Sequence, residues 1–179
     1  MSDYDTFVLF AAEYSNLEDA ETDYETVKAL YYDLDLVDTF DAAVIQRHDD
    51  GKVKIVKKHE QPTRKGGWVG AGLGLAAGAV VLLFPAAAIG AGVLVGTTAG
   101  GAAVGALAGH VARGISRHDL KELGESLDTG DAGLVVIAAV DLEGRINDAI
   151  ARSNKILKKE IKADRKELEK ELKEAEKEG

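Results

Sequence analysis

Histidines are the side chains in this 179-residue sequence best suited to bind a metal or to transfer a proton near neutral pH. There are four: His48, His59, His110 and His118. The dipeptide Asp50-Gly51 favours a tight hairpin turn. Such a turn would place His48 opposite Val53 and His59 opposite Ala42, which separates the two hairpin histidines. No histidine pair has the spacing of metal ligands, so solvated or capping roles are expected.

Other patterns for chemistry are equally weak. The chain has no cysteine, which excludes disulfides, thiolate nucleophiles and Cys-ligated zinc. Asp49, Asp50 and Gly51 lack the later ligands of a calcium loop and indicate a turn. A loose G-x-G-x-x-A over residues 72–77 does not follow a predicted strand, as a dinucleotide loop must. The sequence therefore predicts a non-enzymatic protein without cofactor or metal.

Charge is distributed unevenly along the chain. The net charge is −9, while residues 1–46 carry −11 and residues 47–65 carry +4. The acidic balance argues against nucleic-acid binding. The basic group Lys52, Lys54, Lys57 and Lys58 indicates either a solvated face or attraction to anionic lipid headgroups. The N-terminus lacks the basic and apolar regions of a secretory signal, so a cytoplasmic location is expected.

Two strands and a helix are predicted before the Asp50-Gly51 turn, and a third strand after it. Residues 6–13 form a short apolar run typical of a buried strand. Ser15 and Glu18 make an S-x-x-E capping box at the start of a helix. One face of that helix is apolar, with Leu17, Ala20, Tyr24, Val27, Tyr31 and Leu34. The segments "DTFDAAVIQRH" and "KVKIVKKH" are the second and third strands.

A second helix and a fourth strand follow the central segment. Ser116 and Asp119 repeat a capping signature, and Gly130 ends the helix. Residues 132–140 are an apolar strand. Without residues 64–114 the order is β-α-β-β-α-β, which predicts an α+β, ferredoxin-like sandwich with both helices on one face of the sheet. The other face would be open, but the first strand is apolar on both sides, so a partner sheet or the chain's own C-terminus is expected to cover it. Residues 1–64 and 114–142 would form this split domain.

The C-terminal residues 143–179 predict a long, charged amphipathic helix. At 100° per residue its apolar side chains form one narrow stripe, made of Ile146, Ile150, Leu157, Ile161, Leu168, Leu172 and Ala175. A narrow stripe suits either a solvated helix with one weakly buried edge or a seam that binds another helix. The stretch "SNKILKKEI" could instead break the helix and form a short edge strand.

The central insertion comprises residues 65–113. Between Lys65 and Arg113, the charged residues at its two ends, it contains no Asp, Glu, Lys or Arg. Its glycines recur at intervals of four, which predicts a glycine zipper in which helices approach to backbone contact. Pro85 would separate two helical arms. The predicted oligomerisation hairpin comprises Gly66, Gly70, Gly74, Gly78, Pro85, Gly92, Gly96, Gly100, Gly101, Gly105 and Gly109.

The flanking residues and the tip of this hairpin indicate what surrounds it. Both ends must return to one sheet, and both are basic, which is the positive-inside pattern for two cytoplasmic ends. Arg64, Lys65, Trp68 and Arg113 are the expected interfacial anchors. The tip "LLFPAAAIG" is too apolar for water. Burial either in the bilayer or in the interior of an oligomer is therefore predicted.

The order of these blocks resembles a bacterial and archaeal family of membrane proteins of unknown function, akin to general stress proteins. The resemblance rests on "LEDAETDYETVKAL", "DAAVIQRHDDGKVKI", the Gly/Ala-rich hairpin and "LKELGESLDTGDAGLVVIA". It implies association with membranes and stress, and it implies no catalytic residue.

Together these features predict a self-assembling homo-oligomer on the cytoplasmic face of the membrane, held together by glycine-zipper hairpins and contacting the lipid bilayer. One alternative is a soluble cytoplasmic homo-oligomer that buries the hairpins in its own interior. The other is a regulatory module that binds a small molecule on the open face of the sheet.

Overall fold

The structure is a computed structural model that describes residues 4–36, 41–59, 76, 79–80, 83, 116–127 and 130–164. It is an α+β fold built on one five-stranded antiparallel sheet. The elements in chain order are β1 (Tyr4–Tyr14), α1 (Leu17–Asp33), β2 (Asp41–Arg47), β3 (Val53–His59), α2 (Arg117–Leu127), β4 (Ala132–Ala139), a 3-10 turn (Val140–Leu142), α3 (Glu143–Ala149) and β5 (Lys155–Asp164).

The strand order is β3-β2-β4-β1-β5, with β3 and β5 at the two edges. β4 pairs antiparallel to both β1 and β2, so these two strands run in the same direction and α1 crosses over between them. The predicted four-stranded order differs from this sheet, because the second neighbour of β1 is β5 rather than another of the four expected strands.

β5 corrects the prediction of one long helix from residue 143. Only α3 is helical, and the chain then forms a ten-residue edge strand beside β1, as the edge-strand alternative expected. Asn154 fixes the change of direction, since its backbone N–H donates to the Glu13 carbonyl at 2.8 Å and its side chain to Ser15 Oγ at 2.6 Å. Residues 165–179 of the predicted helix lie outside the described residues.

The hairpin between β2 and β3 follows the predicted turn with a shift of one residue near its tip. Ala42 lies opposite His59 as expected, but the partner of Val53 is Arg47 rather than His48. The loop is one residue longer than predicted, with Gly51 at φ 78°, and an irregularity between Val44 and Ile45 restores the register.

Side chains at the helix starts satisfy backbone N–H groups that have no partner within the helix. The N-cap of α1 is Asn16, which accepts from the Asp19 N–H at 2.9 Å, so the predicted box from Ser15 was one residue early. At α2 the predicted cap is confirmed, because Ser116 Oγ accepts from the Asp119 N–H at 3.1 Å.

Both faces of the sheet are covered. α1 and α3 pack on one face, where buried residues include Phe10, Tyr14, Tyr24, Tyr31 and Ile146. α2 packs on the opposite face through Leu123 and Leu127. The prediction of both helices on one face was wrong, because periodicity along a helix fixes its apolar side but not the side of the sheet it reaches. The second face was expected to be covered by a partner sheet or by the C-terminal residues, and α2 and four residues of the central insertion cover it instead.

Candidate functional site

The face that α2 covers also receives part of the central insertion. Four helical residues of the insertion are buried there, and we call them the docked quartet: Ala76, Ala79, Val80 and Leu83. They belong to one apolar cluster with residues of β1, β2, β3, β4 and α2. The beginning of the insertion is therefore part of the core of the body formed by the sheet and its helices.

The spacing of the docked quartet explains how it covers the sheet. Residues at i, i+3, i+4 and i+7 share one face of a helix. Ala76, Ala79 and Val80 are at most 1% exposed, and Leu83 is 9% exposed. The small side chains bring the helix axis close to the sheet, whose strands also present alanine here, at Ala11 and Ala43.

A buried carboxylate holds the first residue of the quartet. Asp41 begins β2 and is 3% exposed, and its Oδ1 accepts a hydrogen bond from the Ala76 backbone N–H at 3.2 Å. Asp41 thus ties the docked quartet to the start of a strand that is distant in sequence.

Gly124 of α2 sets how closely the other end approaches. A Cβ placed on Gly124 would lie 2.8 Å from the Leu83 carbonyl oxygen, closer than real Cβ contacts allow. Only glycine at this position permits the observed separation between α2 and the quartet. The Gly124 contact involves Leu83, the last residue of the docked quartet, and the Asp41 hydrogen bond involves Ala76, the first. The quartet is therefore held at both of its ends.

β3 ends and α2 begins at the same end of the sheet. β3 ends at His59, which lies opposite Ala42 beside Asp41. Lys159, paired with Leu9 of β1, contacts Asp119 near the start of α2, whereas Leu127 at the end of α2 lies near Gly133 at the other end of the sheet. The predicted hairpin between β3 and α2 lies outside the described residues, apart from the docked quartet.

The α1 face holds the second buried carboxylate. Asp23 is fully buried and accepts three hydrogen bonds, from the Tyr14 hydroxyl at 3.0 Å, the Arg152 backbone N–H at 2.8 Å and Arg152 Nη1 at 2.9 Å. Burial, followed by the charge of Asp23, raises the pKa of Tyr14 far above its ordinary value. The group joins β1, α1 and the turn before β5, and its partners are all internal, which is typical of a structural network.

The pKa values of two tyrosines on α1, Tyr24 and Tyr31, are also raised by their surroundings. Burial raises the pKa of Tyr24 to about 12, with a smaller effect of Glu25. Burial also raises the pKa of Tyr31, and the charges of Asp41 and Asp141 act in the same direction. Neither phenol can act as a base at neutral pH.

No catalytic or metal centre emerges from the described part of the chain. Within it, no group of three His, Cys, Asp or Glu side chains could hold a metal ion. His118 is exposed on α2. Likewise, no helix among the described residues has the length and apolar character to cross a bilayer.

The predicted oligomerisation residues, from Gly66 to Gly109, and the predicted anchors Arg64, Lys65, Trp68 and Arg113 lie outside the described residues. Asp41 and the docked quartet were missed as site residues. The i, i+3, i+4, i+7 pattern from Ala76 to Leu83 was available in the sequence, but the neighbouring apolar residues offered other helical faces equally well.

Comparison with known proteins identifies a family and no function. No curated protein and no solved structure matches the chain. A family model described as "Protein of unknown function (DUF1269)" matches residues 67–175, which include the insertion from residue 67 onward, α2, β4, α3 and β5. The match covers more than half of the sequence, and the chain therefore belongs to this DUF1269 family of proteins of unknown function.

Proposed function

We propose that the chain is a non-enzymatic, self-associating protein. Its α+β body holds one face of a helix from the insertion, and the opposite, glycine-bearing face of that helix binds copies of the same segment. The observation that carries the proposal is the burial of the docked quartet on the sheet. It gives the segment a fixed orientation relative to the body.

On an ideal helix that carries the docked quartet on one face, Gly74 and Gly78 would lie on the opposite face. On an ideal helix, Gly78 falls about 200° and Gly74 about 160° from Ala76. The docked quartet lies within about 100°, centred near Ala76. Docking to the body therefore uses a different face from the one that the glycine spacing suits for close helix packing. Self-association does not require the segment to leave the sheet.

The alternative of a regulatory module that binds a small molecule on the open face of the sheet stays an untested prediction. α2 and the docked quartet pack on the face that it would use. The soluble oligomer and the membrane-bound oligomer both stay compatible with the docked arrangement. The role under stress that the sequence resemblance implies stays a separate prediction, to be checked by measuring the abundance of the protein after stress.

Sedimentation velocity on the full chain tests the proposal through Gly78. Gly78→Leu adds bulk where a second helix would approach, so we expect a smaller particle. Gly78→Ala is the matched control, because both substitutions raise helix propensity by up to about 1 kcal/mol and only leucine fills the contact. An unchanged particle mass for Gly78→Leu, or a monomeric wild type at all concentrations, would overturn the proposal.

A further inference from the structure

The two edge strands, β3 and β5, are both rich in lysine, but their lysines differ in how far they pair with carboxylates of the same molecule. On β5, Lys158 Nζ lies 2.7 Å from Glu143 of α3, and Lys159 Nζ lies 2.9 Å from Asp119 and 2.8 Å from Glu122 of α2. These ion pairs join the strand to helices on both faces of the sheet. Two of the four lysines of this edge strand are thus paired with carboxylates within the molecule.

The β3 edge keeps its charge. Lys52, Lys54 and Val56 alternate with Val53 and Ile55, which pack against the core on the α2 face, so the first three point away from that face. We call these three residues the outer β3 surface. All three are exposed, and among the described residues the only ion pair on this surface is the loose contact of Lys52 with Asp50 at 3.7 Å.

The negative charge of the rest of the chain would orient the molecule so that the outer β3 surface faces an anionic partner. Residues 47–65 carry +4 in a chain of −9, and the N-terminal 46 residues carry −11. An anionic surface would repel most of the molecule and attract the β3 edge, which orients the approach. An isolated basic patch on a neutral protein would not impose such an orientation.

Two features favour a lipid surface over another polyanion. Val56 is 38% exposed two residues after Lys54, and it suits the boundary between headgroups and acyl chains better than a phosphate backbone. The uncharged part of the insertion begins at Gly66, seven residues after β3 ends at His59, a distance of at most about 25 Å along the chain. A basic strand thus lies close in sequence to a long segment without acidic or basic residues.

We propose that the outer β3 surface binds an anionic bilayer, so that the β3 edge of the body faces the membrane. The interaction needs lipid phosphate and carboxylate groups near Lys52 and Lys54, and it weakens as salt screens them. It does not depend on the glycine face, so it stands or falls separately from self-association.

Co-flotation of the full chain with vesicles tests this surface. The probes are vesicles of phosphatidylcholine alone and of phosphatidylcholine with phosphatidylserine. Lys52→Glu with Lys54→Glu reverses two charges of the outer β3 surface. Lys121→Glu with Lys155→Glu is the matched control, since both lysines are exposed, lie on α2 and β5, and give the same change in net charge.

We expect wild type and control to bind the anionic vesicles alike, and the β3 variant to lose about fivefold or more in bound fraction at low salt. Equal losses in both variants would mean that net charge alone decides binding, and equal binding to neutral vesicles would assign it to the insertion. Either result would overturn the proposal. So would a change in particle mass of the β3 variant without lipid, or tighter binding to a single-stranded RNA probe than to vesicles.

Discussion

The two faces of the sheet are closed by different means. On the α1 face, elements adjacent in the chain bring large side chains, including Phe10, Tyr14 and Tyr31, and the fully buried Asp23 has three donors. On the α2 face, an inserted segment brings Ala76, Ala79, Val80 and Leu83, and a hydrogen bond from the Ala76 N–H to Asp41. The first face is a bulky core with an internal polar network. On the second, small side chains supply part of the cover, and the described contacts at Asp41 and Gly124 hold it.

The difference indicates where the molecule can change without unfolding. Loss of contacts on the α1 face removes support from β1, α1 and β5 together, so it should lower the stability of the whole domain. Loss of the contacts at Asp41 or Gly124 affects the attachment of one segment. Local opening of such a weakly attached element costs less than global unfolding.

The largest effect is expected for Asp23→Ala. It leaves the buried Tyr14 hydroxyl and two donors of Arg152 without their acceptor, so we expect a loss of about 3 kcal/mol in the free energy of unfolding. Urea denaturation measures this. Asp33→Ala, an exposed acid on the same helix, is the control and should change stability by less than about 0.5 kcal/mol. Equal effects of the two substitutions would contradict the structural role of Asp23.

Asp41→Ala should have a smaller and more local effect. It removes the acceptor of the Ala76 N–H, and we expect a loss of about 1 to 2 kcal/mol in the stability of the docked segment. Hydrogen exchange of peptides covering residues 76–83 should accelerate more than that of β1 peptides. Asp41→Asn keeps an acceptor oxygen of the same size and should restore most of the protection. Uniform acceleration throughout the chain would show that the two faces are not separable.

Gly124→Ala tests the close approach on the second face. The added Cβ would lie 2.8 Å from the Leu83 carbonyl oxygen, while alanine raises the helix propensity of α2 by up to about 1 kcal/mol. The two effects oppose each other, so global stability should change by less than about 1 kcal/mol while exchange at residues 79–83 increases. At Gly144 an added Cβ meets nothing within 4 Å, so Gly144→Ala should leave that exchange unchanged.

The smallest effect concerns the ion pairs by which β5 joins α2. Lys159 hydrogen-bonds to Glu122 and Asp119 and lowers the pKa of both carboxyls, so their contribution is present at neutral pH and is lost as pH falls below about 4. Wild type should therefore lose slightly more stability than Lys159→Ala between about pH 5 and pH 3 in thermal melts. Parallel pH profiles of the two proteins would show that the pairs contribute nothing.

Local patterns predicted much of the body. Alternation and turn residues gave β1 to β4, and the capping pattern at Ser116 gave α2. The prediction of a helix over residues 155–164 was wrong because "KILKKEIKAD" fits a helical stripe as well as a strand. Pairing with the edge of β1, which the local sequence does not show, selects the strand. Strand order and the face that α2 covers depend on contacts between distant residues. The distant partner of Asp41, Ala76, left no local trace in the sequence for the same reason.

Oxidative cross-linking gives the most direct test of the docked segment and its free face. The chain has no native cysteine, so pairs can be introduced without background. Asp41→Cys with Ala76→Cys should form an intrachain disulfide, because the Asp41 side chain reaches the Ala76 backbone N, with Oδ1 3.2 Å from it. Gly78→Cys alone should give covalent dimers. Absence of the 41–76 link within one chain, with Gly78→Cys remaining monomeric on oxidation, would contradict both parts of the account.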